Sequence, residues 1–405
     1  MDEQATRIAM RADTDDDINP AAGQVVTTNG VRRVVLAGLL VLAAACAQTD
    51  GPAERAAPST SSTSPGLDTT SVPSTVPSFS PLPAQPDGVP FPGDDWPTSP
   101  PSAPAGAVES LLDEALSAES RFGTIDAVVV VQGGSIVVEA YGESWGPSRV
   151  HPSWSIAKSV THALVGVLVR QGALDVDEHA DVGEWDSPGD PRSAITLRML
   201  MQMTSGLQWD ESTDVFDLVA DTARVNVAHA QAERQLAAPP GTTFNYSTGS
   251  TAIVGRIIGD LVGTEGDFAR WSEASLFGPL GIDSVELTFD ADGYWVAGYG
   301  ADMTARDYAR FGLLYLRDGV WNGQRILPEG WVDSARTATP LAPPYGAGFW
   351  IDVNAADTFS AEGFFGQKIV VVPDADLVVV VLAQNVDDDL STSLATALID
   401  LLRVS

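Results

Sequence analysis

Ser155 and Lys158 stand three residues apart in Trp154-Ser155-Ile156-Ala157-Lys158-Ser159. Side chains at this spacing share one face of a helix, so a hydroxyl and an amine can meet. A serine hydroxyl is a poor nucleophile unless a neighbouring base removes its proton as the new bond forms. Lysine suits that task because burial disfavours its charged form. The chain carries 22 Lys plus Arg, and only Lys158 and Lys368 are lysines. One of the two is kept beside a serine at one-turn spacing, which points to a nucleophile and its base.

The elements that must position this pair occupy only part of the 405 residues. Arg32-Arg33 precedes the apolar run Val34 to Ala45, which ends at Cys46. That run is too short to span a bilayer and fits the core of a signal peptide. Leu42-Ala43-Ala44-Ala45-Cys46 resembles a bacterial lipoprotein box with its leucine one place early, so Cys46 is the expected lipidation site. An ordinary secretory signal with an incidental cysteine is the competing reading, and Arg32-Arg33 gives weak support to a twin-arginine signal. The long polar stretch ahead of the arginine pair places the expected start nearer Val31.

Residues 1–46 are therefore read as an N-terminal extension and lipoprotein-type signal. Residues 47–105, rich in Pro, Ser and Thr, are read as a disordered stalk, because such a segment buries too little apolar surface to offset its ordering entropy. Residues 106–405 remain for one globular domain, long enough to bury a large core. The expected location is the cell envelope, anchored by lipid on the outer face of the cytoplasmic membrane or secreted, where the stalk would hold the domain near peptidoglycan.

Composition excludes other classes. The formal charge of −32 leaves no basic face for a phosphate backbone, so nucleic acid is excluded as a partner. A single cysteine permits no intramolecular disulfide and no multi-cysteine metal site. His151, His162, His179 and His229 form no H-x-x-x-H pair, and neither a metal nor a cofactor is expected.

Within the globular part, Ala107 to Arg121 has the pattern of an amphipathic helix. Ala127 to Gln132 and Ser135 to Tyr141 are β-branched runs joined by Gly133-Gly134, a tight-hairpin connection. Ser155 to Gln171 reads as a core helix, apolar on most faces, with Ser155 in its first turn, where free amides favour developing negative charge. Helices follow near 196–203, 214–236, 249–262, 267–276 and 304–317. Strands return at Gln367 to Val372 and Leu377 to Ala383, and a helix from about Ser391 to Arg403 closes the chain. Strands at both ends with helices between them predict an α+β fold: an antiparallel sheet completed by both termini, with an all-helical lobe across a cleft.

Further blocks follow in order: Leu200-Met201-Gln202-Met203-Thr204-Ser205-Gly206-Leu207, Phe244-Asn245-Tyr246-Ser247-Thr248-Gly249, Met303 to Gly312, and Gly363-Phe364-Phe365-Gly366-Gln367. With the serine–lysine block, this set resembles the serine β-lactamase and penicillin-binding-protein superfamily. It is most similar to the branch of class C-like esterases and aminohexanoate-oligomer hydrolases. The resemblance implies the transpeptidase-like α+β fold over residues 106–405 and an acyl-enzyme on Ser155. Lys158 would take the proton directly or relay it through Tyr246. The oxyanion would be held by the backbone N–H of Ser155 and by that of Gln367, with Gly366 beside it.

Two positions depart from the family pattern. Tyr-x-Asn is here Tyr246-Ser247-Thr248, so Thr248 stands where a substrate-binding amide is usual. The motif that is commonly Lys-Thr-Gly or His-x-Gly is here Phe364-Phe365-Gly366, and aromatic rings do not hold a carboxylate as a cation does. Lys368 lies too far along an extended strand to replace that cation. The expected substrate is accordingly a small ester or amide with an apolar acyl part. The alternatives are a β-lactamase or D-Ala-D-Ala carboxypeptidase, and a catalytically weak penicillin-recognising surface protein.

Phe364 and Phe365 are placed near the site by their motif. Trp209, Trp295 and Trp350 could also wall the cleft, but each by itself is more readily a core or interface residue. Asp307 and Arg310 read as structural. Gly142-Glu143-Ser144-Trp145-Gly146 fits the G-x-S-x-G pattern of α/β-hydrolases, but the proline-flanked stretch after it cannot continue as the required helix.

Overall fold

The computed structural model describes residues 79–403 apart from Asp94, Ala342 and Pro343. Cys46, the signal segment and the stalk as far as residue 78 lie outside the described residues. The Gly133-Gly134 turn takes φ of 58° and 79°, the left-handed conformation at both central positions that lets two strands return at once. It joins β1 (Ile125–Gln132) to β2 (Ser135–Tyr141).

β1 then pairs with the near-terminal strand β11 (Leu377–Ala383), with Val128 to Val131 set opposite Val381 to Val378. Beyond β11 follow β10 (Gln367–Val372), β9 (Phe359–Gly363) and the short β8 (Trp350–Ile351), giving the antiparallel order β2-β1-β11-β10-β9-β8. Continuous valine runs are what this position demands, since the central strands are covered on both faces.

One face carries helix α1 (Ala107–Ala115) and the C-terminal helix, packed over Val128, Val130, Val379 and Val381. The other face carries α2 (Ile156–Arg170) and the helix Ala305–Leu316, over Val129, Val131, Val378 and Val380. The latter helix approaches closely at Gly312, where an added Cβ would lie 2.6 Å from Val378 and 2.7 Å from Ile369. In α2, 13 of 15 residues are buried, in keeping with its nearly all-round apolar sequence. The chain between α2 and β8 supplies the helical lobe, including α3 (Leu197–Met201), α4 (Asp214–Asp221), α5 (Val227–Ala232) and α6 (Thr248–Val262). The α+β architecture is as the sequence implied.

Three features differ from expectation. The globular unit begins earlier than residue 106. Trp96 is buried with its indole N–H donating to the Gly134 carbonyl at 3.0 Å, and Ile136 N–H donates to Pro97 O while Ser99 N–H donates to Ile136 O. Residues 97–99 thus cover the edge of β2, because prolines offer carbonyls without needing N–H partners. The helix expected over 214–236 is broken, since the Asn226 side chain accepts from His229 N–H and restarts the chain as α5. Strands β8 and β9 went unread, being short and rich in Gly, Ser and Asp around their turn.

Candidate active site

Trp154, immediately before the nucleophile candidate, is held at φ 44°, a left-handed conformation that a tryptophan adopts only under constraint. Its ring packs edge-on against Phe364 and Phe365, with centroids 5.9 and 5.5 Å away. Ser155 then begins α2 as its N-cap without spending its hydroxyl on a capping bond. That hydroxyl instead lies 2.9 Å from Lys158 Nζ.

Lys158 is 3% exposed, and its amine has two further neighbours: Thr248 Oγ1 at 2.7 Å and the Gly298 carbonyl at 3.2 Å. Burial lowers its pKa from the usual lysine range to about 8, opposed by the Glu211 carboxylate, which favours the ammonium. Nζ also stands 4.8 Å from the centre of the Tyr246 ring. The helical lobe therefore delivers Tyr246 and Thr248 to α2.

Burial pushes the Tyr246 hydroxyl well above 10, reinforced by Tyr345 and Glu211 and opposed by its bond to Ser155. A phenol so raised favours its protonated form. Tyr246 stacks on Trp350 at 5.5 Å and meets Tyr345 edge-on at 5.6 Å, and Phe244 lies 5.6 Å from Tyr345. This is one aromatic wall. Trp154, Phe364, Phe365 and Phe216 make a second, with Phe216 6.4 Å from Phe364. Trp295 belongs to the core, 5.2 Å from Phe268, and Trp209 lies behind the site, its indole N–H bonded to Glu211.

Gln367 and Gly366 are not where the motif reading put them. The Asp352 N–H donates to Thr358 O at 2.8 Å across the β8–β9 hairpin, so strand alternation turns the amides of Ser360, Glu362 and Phe364 to that edge. Those of Gly363 and its partner Gln367 face each other between β9 and β10. The Gln367 amide is thereby taken up by the sheet, and its side chain bonds both backbone groups of Ala383. A Cβ on Gly366 would meet Ser391 on the opposite face. Gly363 instead packs on the segment that leads into α2, where an added Cβ would lie 2.4 Å from Ser153 O. β8 pairs only with Phe359 and Ser360, which leaves the later edge amides, including that of Phe364, without a strand partner on the side where Gly363 meets Ser153 and Trp154.

Thr248 was expected to face substrate. It is 1% exposed and is bonded instead to Lys158 on one side and, through its hydroxyl at 2.5 Å, to Glu211 on the other. Glu211, Tyr345, Phe244 and Phe216 were missed by the sequence reading. Lys368 is buried and paired with Glu362 at 2.9 Å. The Ser144 segment runs into β3 (Val150–His151) through turns, with no helix after it, so it has no elbow geometry. Asp307 bonds Arg310 and Ser284, a structural arrangement.

A serine–lysine pair at the start of a buried helix, set between an antiparallel sheet and a helical lobe that supplies a tyrosine, defines a class of acyl-transferring serine enzymes. A family model described as Beta-lactamase matches residues 112–402, and the chain belongs to that family. It is 23% identical over 319 residues to the 6-aminohexanoate-dimer hydrolase of Paenarthrobacter ureafaciens, covering 71% of this chain and 80% of that one. Penicillin-binding protein 4 of Amycolatopsis lactamdurans is 31% identical over 209 residues, covering 44% of this chain and 54% of that one. Among solved structures, a Bacillus anthracis protein provisionally assigned as a 6-aminohexanoate-dimer hydrolase superposes with a TM-score of 0.64 at 24% identity, covering 78% of this chain and 89% of that one. The chain is a serine hydrolase of the β-lactamase and penicillin-binding-protein superfamily.

Proposed function

We propose that the protein cleaves an uncharged ester or amide with an apolar acyl part through an acyl-enzyme on Ser155. The observation that carries this reading is the 2.9 Å contact between Ser155 Oγ and a buried Lys158 amine whose pKa lies near 8. At pH 8 about half of such amines are neutral. The neutral amine takes the Ser155 proton as Oγ bonds the carbonyl carbon, and the carbonyl π electrons move onto oxygen. The resulting oxyanion sits at the start of α2, where the Ser155 N–H and the edge amide of Phe364 donate to it. Collapse expels the leaving group, which receives the proton held by the Lys158 ammonium, either directly or through the Tyr246 hydroxyl, which gives up its own proton as it takes the one from Lys158. Tyr246 acts here as an acid. Water, activated by the same amine, then releases the acid product.

The substrate class follows from the walls. Both flanks of Ser155 are aromatic, Lys368 is committed to Glu362, and Arg234 over Trp209 is paired with Asp214. This environment favours neutral apolar acyl donors over those bearing a carboxylate. Turnover of p-nitrophenyl butyrate, with a transient butyryl adduct on the Ser155 peptide and loss of both in Ser155→Ala, is the expected result. Mono-p-nitrophenyl glutarate should be at least about 10-fold poorer in kcat/KM. Faster hydrolysis of nitrocefin than of the neutral ester would overturn the substrate reading in favour of a β-lactamase.

We also propose export with a lipid anchor on Cys46 and a location near peptidoglycan, supported by the arginine pair, the apolar run and the Pro/Ser/Thr-rich stalk. Palmitate labelling of the expressed full chain that persists in Cys46→Ser would remove the anchor.

A further inference from the structure

Lys158 Nζ has three polar neighbours, and a neutral amine has two hydrogens and one lone pair. The Gly298 carbonyl can only accept, so it takes one hydrogen. Thr248 Oγ1 is ambiguous by itself, since a hydroxyl can donate or accept. Glu211 removes the ambiguity. Its Oε1 lies 2.5 Å from Thr248 Oγ1, and a carboxylate accepts only, so the hydroxyl hydrogen is committed there. Thr248 must then accept the second amine hydrogen, and the lone pair is left facing Ser155. The ammonium formed on proton transfer has one hydrogen for each neighbour, so the network holds both protonation states without rearranging.

Glu211 is itself fixed. Its Oε2 accepts from the Thr248 N–H at 2.9 Å and from the Trp209 indole N–H. Both partners are donors, so a glutamine in its place would keep its oxygen toward them and turn its NH2 to the Thr248 hydroxyl, reversing the direction of that contact. If its NH2 faced Thr248, the threonine hydrogen would be freed to bond Nζ and occupy the lone pair that Ser155 needs.

We propose that Glu211 is a positioning residue which, by fixing the donor direction of the Thr248 hydroxyl, aims the Lys158 lone pair at Ser155. This rests on the reading of Ser155 and Lys158 given above. A second consequence concerns charge, because Glu211 is the carboxylate that acts on the Lys158 ammonium. The other groups near Lys158 are the Tyr246 ring, with Tyr345 and Glu362 beyond it. On neighbouring elements Asp302 is bonded to Ser153, and Glu362 to Lys368 and Ser360.

The test is the pH profile of kcat/KM for p-nitrophenyl butyrate in Glu211→Gln, Thr248→Val and Thr248→Ser, using full-length protein checked for folding by its thermal transition. The butyryl adduct on wild-type Ser155 tests the underlying reading separately. Removing the Glu211 charge should move the acid limb to lower pH, by about one unit, while the plateau falls by about 10²-fold. Thr248→Val should lose a similar factor, and Thr248→Ser, which keeps the hydroxyl, should stay within about threefold of wild type. An acid limb in Glu211→Gln that stays in place or moves up would overturn the proposal. So would a Thr248→Val plateau equal to that of wild type, or a Thr248→Ser as impaired as Thr248→Val. Should Glu211→Gln fail to fold, the threonine pair decides.

Discussion

Lys158 and Lys368 are both buried, at 3% and 1% exposure, yet their surroundings use them in opposite ways. Lys368 lies on β10 opposite Glu362 on β9 and makes a direct ion pair at 2.9 Å, with Glu362 also accepting from Ser360 at 2.6 Å. Lys158 touches only neutral groups, and its nearest acting carboxylate stands one hydroxyl away. Lys368 is spent on a direct ion pair, whereas the hydroxyl between the Lys158 amine and its carboxylate leaves burial the larger influence there and brings the Lys158 pKa to about 8. The difference between a structural lysine and a base is here one intervening threonine.

This contrast can be broken from either side. Lys158→Met should lower ester turnover by about 10³-fold or more with only a small shift of the thermal transition, because methionine fills most of the buried lysine's space and the lost amine touches no carboxylate directly. Lys368→Met should do the reverse. It strands the Glu362 carboxylate in the sheet and should cost about 3–5 kcal/mol in denaturant unfolding. The acid limb of kcat/KM should stay near 8, as set by Lys158. A Lys368→Met variant that loses activity without losing stability would erase the distinction.

Smaller effects sharpen it. Tyr246→Phe should lower kcat by about 10²-fold with little change in the acid limb, since the phenol holds its proton throughout this range. A limb that moves with this substitution would return the base role to the tyrosine. Phe364→Ala should reduce kcat/KM for butyrate esters by about 10-fold and for acetate esters by less, reporting the wall rather than the base.

The smallest effect concerns Asp302, whose pKa burial raises to about 7 although Ser153 donates to its Oδ1 twice. The folded state holds this proton more tightly than the unfolded one, so stability falls as pH rises from about 4 to about 7. Asp302→Asn keeps an acceptor for Ser153 and should melt about 2 °C above wild type at pH 8 by calorimetry.

The parts of the site carried by local spacing were legible in the sequence. Ser155 and Lys158 lie one helical turn apart, and Tyr246 is set by the proline and glycine before it. The α+β organisation could likewise be read from valine runs at both ends. What escaped depends on distant pairing. Thr248 reaches Lys158 across 90 positions and Glu211 reaches Thr248 across 37, and neither distance leaves a mark in composition or period. In a chain with 54 acidic residues, Glu211 had nothing to single it out.

The oxyanion assignment failed for a geometrical reason. Phe364, Phe365 and Gly366 form the tip of a tight hairpin, with φ of 64° at Phe365 and 85° at Gly366. The chain has therefore reversed by Gln367, and the edge amides lie on the strand before the turn. The same blindness placed the start of the domain too late. A proline-rich stretch reads as a stalk until Trp96 is seen buried beneath the first hairpin.

The most direct test of the account is the rate of Ser155 acylation by p-nitrophenyl butyrate as a function of pH, followed by rapid quench, intact mass and peptide mapping. The account predicts a single butyryl group on the peptide containing Ser155, forming half-maximally near pH 8, where Lys158 loses its proton. A butyryl group on any other residue, or an acylation rate that still climbs above pH 10 as an ordinary exposed lysine would require, would contradict it.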